Sequence, residues 1–308
     1  MQYSRRLRQF LAIYDCGSLG QAAEELHITQ PALSKSLRQL EDEMGVPLFE
    51  RVPSGVVPTV YGEALSGHIR IIESEFRNAE AEIASLQGAT KGHLYIGVGP
   101  SMAPHVVPNV ALRLSRQKPG ITMTIVEGLS EDHLLALRRG ELDLAVGTWP
   151  PVNEKTLASE AVLVDRVSVI AGAGHPLAGK RNCQLVDLLE YPWVLPPHSQ
   201  RWRNHLDEIF LKRGLELPDP SMTTNSPTLL RSVLLGNRYL SFLPQLCVQD
   251  DLAEGRIITL PVEGVDETVD VNLTYRKRTV VSPICHAFVE ILREMGKEPR
   301  ENWVRTTD

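Results

Sequence analysis

Gln30, Ser34, Lys35, Arg38 and Gln39 recur at a spacing that lines one face of a helix, and Leu33, Leu37 and Leu40 line the opposite face. The polar face combines amide, hydroxyl and cationic groups. Gln and Arg side chains can pair with the edges of nucleobases, and a Lys offers a point charge to phosphate. The plain alternative is an ordinary helix pair whose charged face is merely solvated.

The elements that would hold this face can be read on either side. Thr29 stands as an N-cap, Pro31 falls in the first turn where its missing N–H costs little, and Gly45 closes the helix. Ser18 to Ile28 reads as a shorter helix with Ala22, Ala23 and Leu26 turned inward, and His27-Ile28-Thr29 forms the break. The pair is a helix-turn-helix. Upstream, Leu7, Phe10, Leu11 and Tyr14 are helically spaced, so the N-terminus reads as a first helix and not a signal peptide, and a cytoplasmic protein is expected. Downstream, short apolar strands around Pro53-Ser54-Gly55 predict a hairpin wing carrying Arg51.

Total charge does not make this region a polyanion binder. Residues 1–60 hold six Lys/Arg (Arg5, Arg6, Arg8, Lys35, Arg38, Arg51) against seven Asp/Glu (Asp15, Glu24, Glu25, Glu41, Asp42, Glu43, Glu50), a balance of −1, and the chain carries −6. Affinity must come from arrangement and from several copies acting together. The next segment supplies a means of joining them. From Tyr61 to about Gln87 runs one proline-free helix in which Leu65, Ile72, Ala79 and Leu86 are seven apart, interleaved with Ile69, Phe76 and Ile83. That narrow seam predicts pairing with a second copy.

Gln87–Gly92 reads as a hinge, after which strands and helices alternate. Strands are expected at His93–Gly99, Ile121–Glu127 and Leu142–Gly147, with helices at Ala103–Gln117 and at Ser130–Arg139, the latter capped by Ser130. A second α/β lobe begins near Val164, and Val269–Tyr275 with Ile284–Met295 returns to the first. Two lobes joined by crossings near 162–166 and 264–268 form a clamshell.

The run AAEELHITQPALSKSLRQLEDEMGVPLFER resembles the N-terminal signature of the LysR-type transcriptional regulators, and the length and layout of the rest are similar to that family. The resemblance implies an α/β protein with an all-α winged helix-turn-helix (1–60), a long dimerisation linker helix (61–88) and a two-lobed effector domain like the periplasmic binding proteins (92–300). Lobe I would span about 92–163 and 268–300, and lobe II about 164–267. It implies promoter DNA, a small-molecule effector, a homodimer assembling to a homotetramer, and RNA polymerase as partners. The expected DNA-binding residues are Ser18, Gln30, Pro31, Ser34, Lys35, Arg38 and Arg51. The expected dimerisation residues are Leu65, Ile69, Ile72, Phe76, Ala79, Ile83 and Leu86.

The expected effector residues sit where open α/β sheets place ligands, at strand ends: Ser101, Met102, Thr148, Trp149, His198, Ser199, Arg201, Trp202, Asn225 and Phe242. Several match positions where such sensors contact inducer. Ser101, before a helix start, suits a small organic anion such as an aromatic carboxylate. Arg201 would add charge, with Trp202 or Phe242 as an apolar wall. Arg201 and Arg203 lie two apart on a helix, so at most one faces the cleft.

No G-x-S-x-G, H-E-x-x-H or P-loop is present, and Gly97-Val98-Gly99 lacks the third glycine of a dinucleotide site, so neither an enzyme nor a cofactor is expected. The four cysteines have no metal-like spacing and are expected as free thiols. No apolar run approaches the roughly 20 residues of a membrane span. The alternative function is a redox- or ligand-insensitive DNA-binding repressor of the same fold, and behind it a small-molecule-processing enzyme.

Overall fold

The computed structural model describes residues 2–86, 92–198, 200–277 and 283–298. Helices α1 (Gln2–Cys16), α2 (Leu19–Glu25) and α3 (Gln30–Met44) pack around Phe10, Ile13, Ala22, Leu33, Leu40 and Leu48. Ser18 caps α2, accepting from Gln21 N at 3.5 Å. His27, at φ 53°, makes the break before α3. Thr29 has extended N-cap dihedrals, yet its side chain makes no capping bond. Gly45, at φ 70°, ends α3 as expected. Strands β1 (Phe49–Val52) and β2 (Gly55–Pro58) form the wing. Glu41 ties it to α3 by accepting from Leu48 N at 2.8 Å.

Helix α4 (Val60–Leu86) starts against this wing. A Cβ on Gly62 would lie 2.2 Å from Leu48 O, so only glycine permits the approach. The first turns of α4 belong to the winged domain. Ile69 is 1% exposed inside its core, and Leu65 packs partly against it. Ile69 is therefore a core residue of its own chain, which corrects its assignment to an intermolecular seam. Ile72, Phe76, Ala79, Ile83 and Leu86 remain exposed, in steps of four and three residues.

Gln87–Lys91, most of the predicted hinge, lies outside the described residues. Lobe I contains β3 (Gly92–Val98), α5 (Val106–Gln117), β4 (Ile121–Glu127), α6 (Ser130–Arg139), β5 (Leu144–Gly147) and the last helix, α10 (Pro283–Lys297). Its core gathers Leu94, Ile96, Met102, Val110, Val146 and Phe288. Helix α5 begins at Val106 and not at Ala103, because Ala103 precedes Pro104, and a residue before proline is driven from helical dihedrals. Ser130 is the first residue of α6, and Leu129 occupies the cap position with extended dihedrals. Lobe II is built from β7 (Trp193–Leu195), α7 (Arg201–Lys212), β8 (Pro220–Thr223), α8 (Pro227–Leu234), β9 (Leu240–Pro244), α9 (Gln249–Ala253) and β10 (Ile257–Thr259).

Two long antiparallel strands join the lobes, β6 (Leu157–Gly172) and β11 (Glu267–Arg276). The far half of β11 pairs with β5 of lobe I, and the far half of β6 pairs with β9 of lobe II. The exchange of partners falls at 163–167 and 267–271. The second crossing is thus a few residues beyond its expected place, although β11 itself starts at Glu267, two residues before the expected Val269. No described helix is long and apolar enough to cross a membrane.

Candidate DNA interface and effector cleft

The outer face of α3 presents Gln30, Pro31, Lys35, Arg38 and Gln39 exposed, with Ser34 half-buried between them. Arg51 is exposed on the wing strand β1 beside this helix. Among the described residues, Lys35, Arg38 and Arg51 enter no ion pair, whereas Arg6 is taken up by Glu43. Arg5 and Arg8, exposed on α1, likewise enter no ion pair among the described residues, so the unpaired cations of the domain lie on α1 as well as on the α3 face and the wing. The acidic run Glu41-Asp42-Glu43 is at the far end of the helix, where Glu41 holds the wing. Ser18 is half-buried and engaged as the cap of α2.

Between the lobes lies a cleft of about 430 Å³. Lobe I lines it with Pro100, Ser101, Thr148 and Trp149, and lobe II with Arg201, Trp202, Asn225 and Phe242. Seven of the expected effector residues thus converge: Ser101, Thr148, Trp149, Arg201, Trp202, Asn225 and Phe242. Ser101 and Thr148 meet hydroxyl to hydroxyl at 3.4 Å. Trp149 is fixed from behind, its Nε1 donating to Thr274 Oγ1 at 3.1 Å, while Asn272 Nδ2 donates to Trp149 O at 2.7 Å. The Arg201 guanidinium lies 4.9 Å from the Trp202 ring centre. Arg203 turns the other way, buried and bonded to Asp207 at 3.0 Å.

Two expected contacts fall elsewhere. Met102 is fully buried in the lobe I core, because the turn after β3 carries it under the sheet. His198 is 67% exposed and faces Asp207 at 3.3 Å, away from the cleft. Ser199 lies outside the described residues. Ser101 also does not open α5, which begins five residues later, so no helix terminus adjoins its hydroxyl.

The cleft includes residues that spacing alone did not indicate. Ser130, Glu131 and Asp132 bring the first turn of α6 to its rim, and Cys247 closes it beyond Pro244. A helix start immediately after a strand end was the available signal for the α6 turn. Burial pushes the Cys247 thiol far up, and the negative charges of Asp165 and Glu127 add to this. Burial also raises Cys183, and a bond to Glu25 raises Cys16. A thiolate nucleophile is favoured by the opposite shift.

A winged helix-turn-helix joined by one helix to a two-lobed binding domain defines a ligand-responsive DNA-binding regulator. The chain matches the bacterial regulatory helix-turn-helix protein, lysR family, over residues 4–63 and the LysR substrate binding domain over residues 87–297. It belongs to the LysR family of transcriptional regulators. It is 32% identical to the RuBisCO operon transcriptional regulator of Allochromatium vinosum, across 94% of each chain. It is 28% identical to the HTH-type regulator YdcI of Escherichia coli (strain K12), again across 94% of each. Among solved structures it is similar to a cysteine variant of full-length OxyR from Pseudomonas aeruginosa (TM-score 0.72, 22% identity, 94% of each chain). It is also similar to CbnR in complex with its target DNA (TM-score 0.65, 20% identity, 94% of this chain and 99% of that one).

Proposed function

We propose that the chain is a cytoplasmic regulator that reads promoter DNA with the outer face of α3 and answers to a small organic anion held between its lobes. It would act as a homodimer, and as a dimer of dimers, through the exposed row on α4, and would contact RNA polymerase without itself catalysing a reaction. The domain limits 1–60, 61–88 and 92–300 follow from the same reading. The observation that carries it is the convergence of Ser101, Thr148, Trp149, Arg201, Trp202, Asn225 and Phe242 on one cleft from two lobes. Its volume is within the roughly 300–1,000 Å³ usual for small-molecule sites.

The lining narrows the ligand. Arg201 is the one cation on the cleft among the described residues, and it can pair with a carboxylate that also meets Ser101 and Thr148. Trp149, Trp202 and Phe242 supply apolar wall for a ring or short hydrocarbon. Glu131 and Asp132 stand at the rim and would repel a second negative group, so a monoanion fits better than a dianion. A ligand touching both lobes favours one lobe angle over another and so shifts the population of two shapes.

A thermal-shift screen of small carboxylates, aromatic monoanions first, should find stabilising ligands. Loss of a charge-assisted bond in Ser101→Ala or Arg201→Ala should then weaken binding about tenfold or more. Unchanged affinity in both variants would move the site out of this cleft.

A further inference from the structure

Helix α6 runs from the cleft to the linker helix α4. Its first turn, Ser130-Glu131-Asp132, lines the cleft. Ten residues later, a distance of about 15 Å along a helix axis, its C-terminus meets α4. Between these ends α6 is anchored in lobe I by Leu137, fully buried, and by His133, whose Nε2 lies 3.1 Å from Val98 O. The ring of His133 also sits 6.0 Å from that of Trp149, a wall of the cleft.

The contact with α4 is backbone against backbone. Gly140 ends α6 at φ 74°, and a Cβ there would stand 2.9 Å from both N and Cα of Ile71. On either side Arg139 reaches Glu63 at 3.2 Å and Glu141 reaches Arg70 at 3.2 Å. Glu63 and Arg70 each hold a second partner on α1: the Tyr14 hydroxyl donates to Glu63 at 2.7 Å, and Arg70 pairs with Asp15. Helix α1 in turn packs on the recognition helix α3. Half-exposed ion pairs contribute little energy singly. The incompressible element is the Gly140–Ile71 contact, and the pairs set its register.

We infer that α6 is a relay, transmitting displacement of its first turn by a cleft occupant through the Arg139–Gly140–Glu141 end to α4, and from Glu63 and Arg70 to α1. This rests on the cleft being the effector site. The mechanical route itself can be examined without any natural ligand. Asn225 is exposed on the lobe II rim of the cleft. In a Cys16→Ser background, Asn225→Cys modified with pyrene maleimide places a bulky covalent occupant against the α6 turn. Cys183, Cys247 and Cys285 are buried, and mass spectrometry of the labelled chain checks that position 225 alone is modified.

Amide hydrogen exchange is then followed in the full chain with and without the label. The expected result is a change of about threefold or more at both 129–134 and 60–74. In Gly140→Asn the 129–134 response should persist and the 60–74 response should fall away. Asparagine tolerates the left-handed conformation, but its Cβ strikes Ile71. If Gly140→Asn does not fold, Arg139→Ala with Glu141→Ala replaces it. An equal response at 60–74 in parent and variant overturns the relay, and so does a label that leaves 60–74 or 129–134 unmoved in the parent. The carboxylate titrations of Ser101→Ala and Arg201→Ala report separately on where the effector binds: unchanged affinity there, with the labelled response intact, moves the ligand and leaves the relay.

Discussion

Arg276→Met should unlock lobe I from the linker helix. Arg276 is 6% exposed on β11, and its guanidinium donates to Leu142 O at 2.9 Å, Leu137 O at 3.1 Å and Ser74 Oγ at 2.9 Å. Those acceptors are the end of α6, the loop before β5 and the middle of α4. Burial lowers its pKa, while Asp143 and Glu75 act in the opposite sense and favour the charged form. Asp143 is itself buried, accepting from Tyr95 N at 2.9 Å. Methionine fills much of the volume and supplies no donor. It takes the donor from Leu142 O, while Leu137 O keeps Gly140 N, and it removes the positive charge that acts on the buried Asp143, together a loss of about 3–5 kcal/mol. That is a large part of the roughly 5–15 kcal/mol that holds a domain folded. With a urea slope near about 3 kcal/mol per M, the midpoint should drop by about 1–1.7 M. All four tryptophans lie after residue 92, so their fluorescence reports the sensor and not the winged domain. Adding Asp143→Asn should recover part of the loss by removing the stranded charge. A midpoint within about 0.3 M of the parent, equal to about 1 kcal/mol at that slope, would refute this account of the contact.

Lys35→Ala should weaken operator and random DNA alike and lower the salt slope by about 0.9, one phosphate contact. Gln30→Ala should instead relax preference at particular bases by about 1–3 kcal/mol; quantitative binding to both DNAs at several salt concentrations separates the two. Ile72→Lys, at a site 45% exposed within the chain, should leave melting nearly unchanged and shift sedimentation toward monomer. Ile69→Lys, at a site 1% exposed, should unfold the winged domain instead, and wild-type dimers of Ile72→Lys would remove α4 from the interface.

Local order was the legible part of the fold. Pro31 and Gly45 bracket α3 because both act through their own backbone dihedrals, which neighbours do not override. The errors arose where one residue's effect on the next decided the outcome. Pro104 delays α5 by acting on Ala103. The seven-residue repeat on α4 reads as one continuous seam, yet periodicity records only that a face is apolar, not what covers it. Leu65 and Ile69 face their own domain, and the same row becomes exposed from Ile72 onward.

The cleft divides along the same line. Strand ends announce ligand-facing positions one at a time, so Thr148, Trp149 and Asn225 could be nominated from topology alone. Whether a side chain then points into the cleft depends on the turn that carries it. Neighbours in sequence part company for that reason: Ser101 faces the cleft and Met102 the core, Arg201 lines it and Arg203 is sealed against Asp207. The α6 turn is not legible in the sequence because Glu131 and Asp132 look like ordinary first-turn acids favoured by the helix dipole. Their second consequence, a negative rim opposite a single arginine, exists only once two lobes 70 residues apart in sequence are brought face to face. Selectivity for a monoanion would therefore be a property of lobe closure, and a variant that fixes the lobes apart should lose discrimination between mono- and dianions before it loses binding.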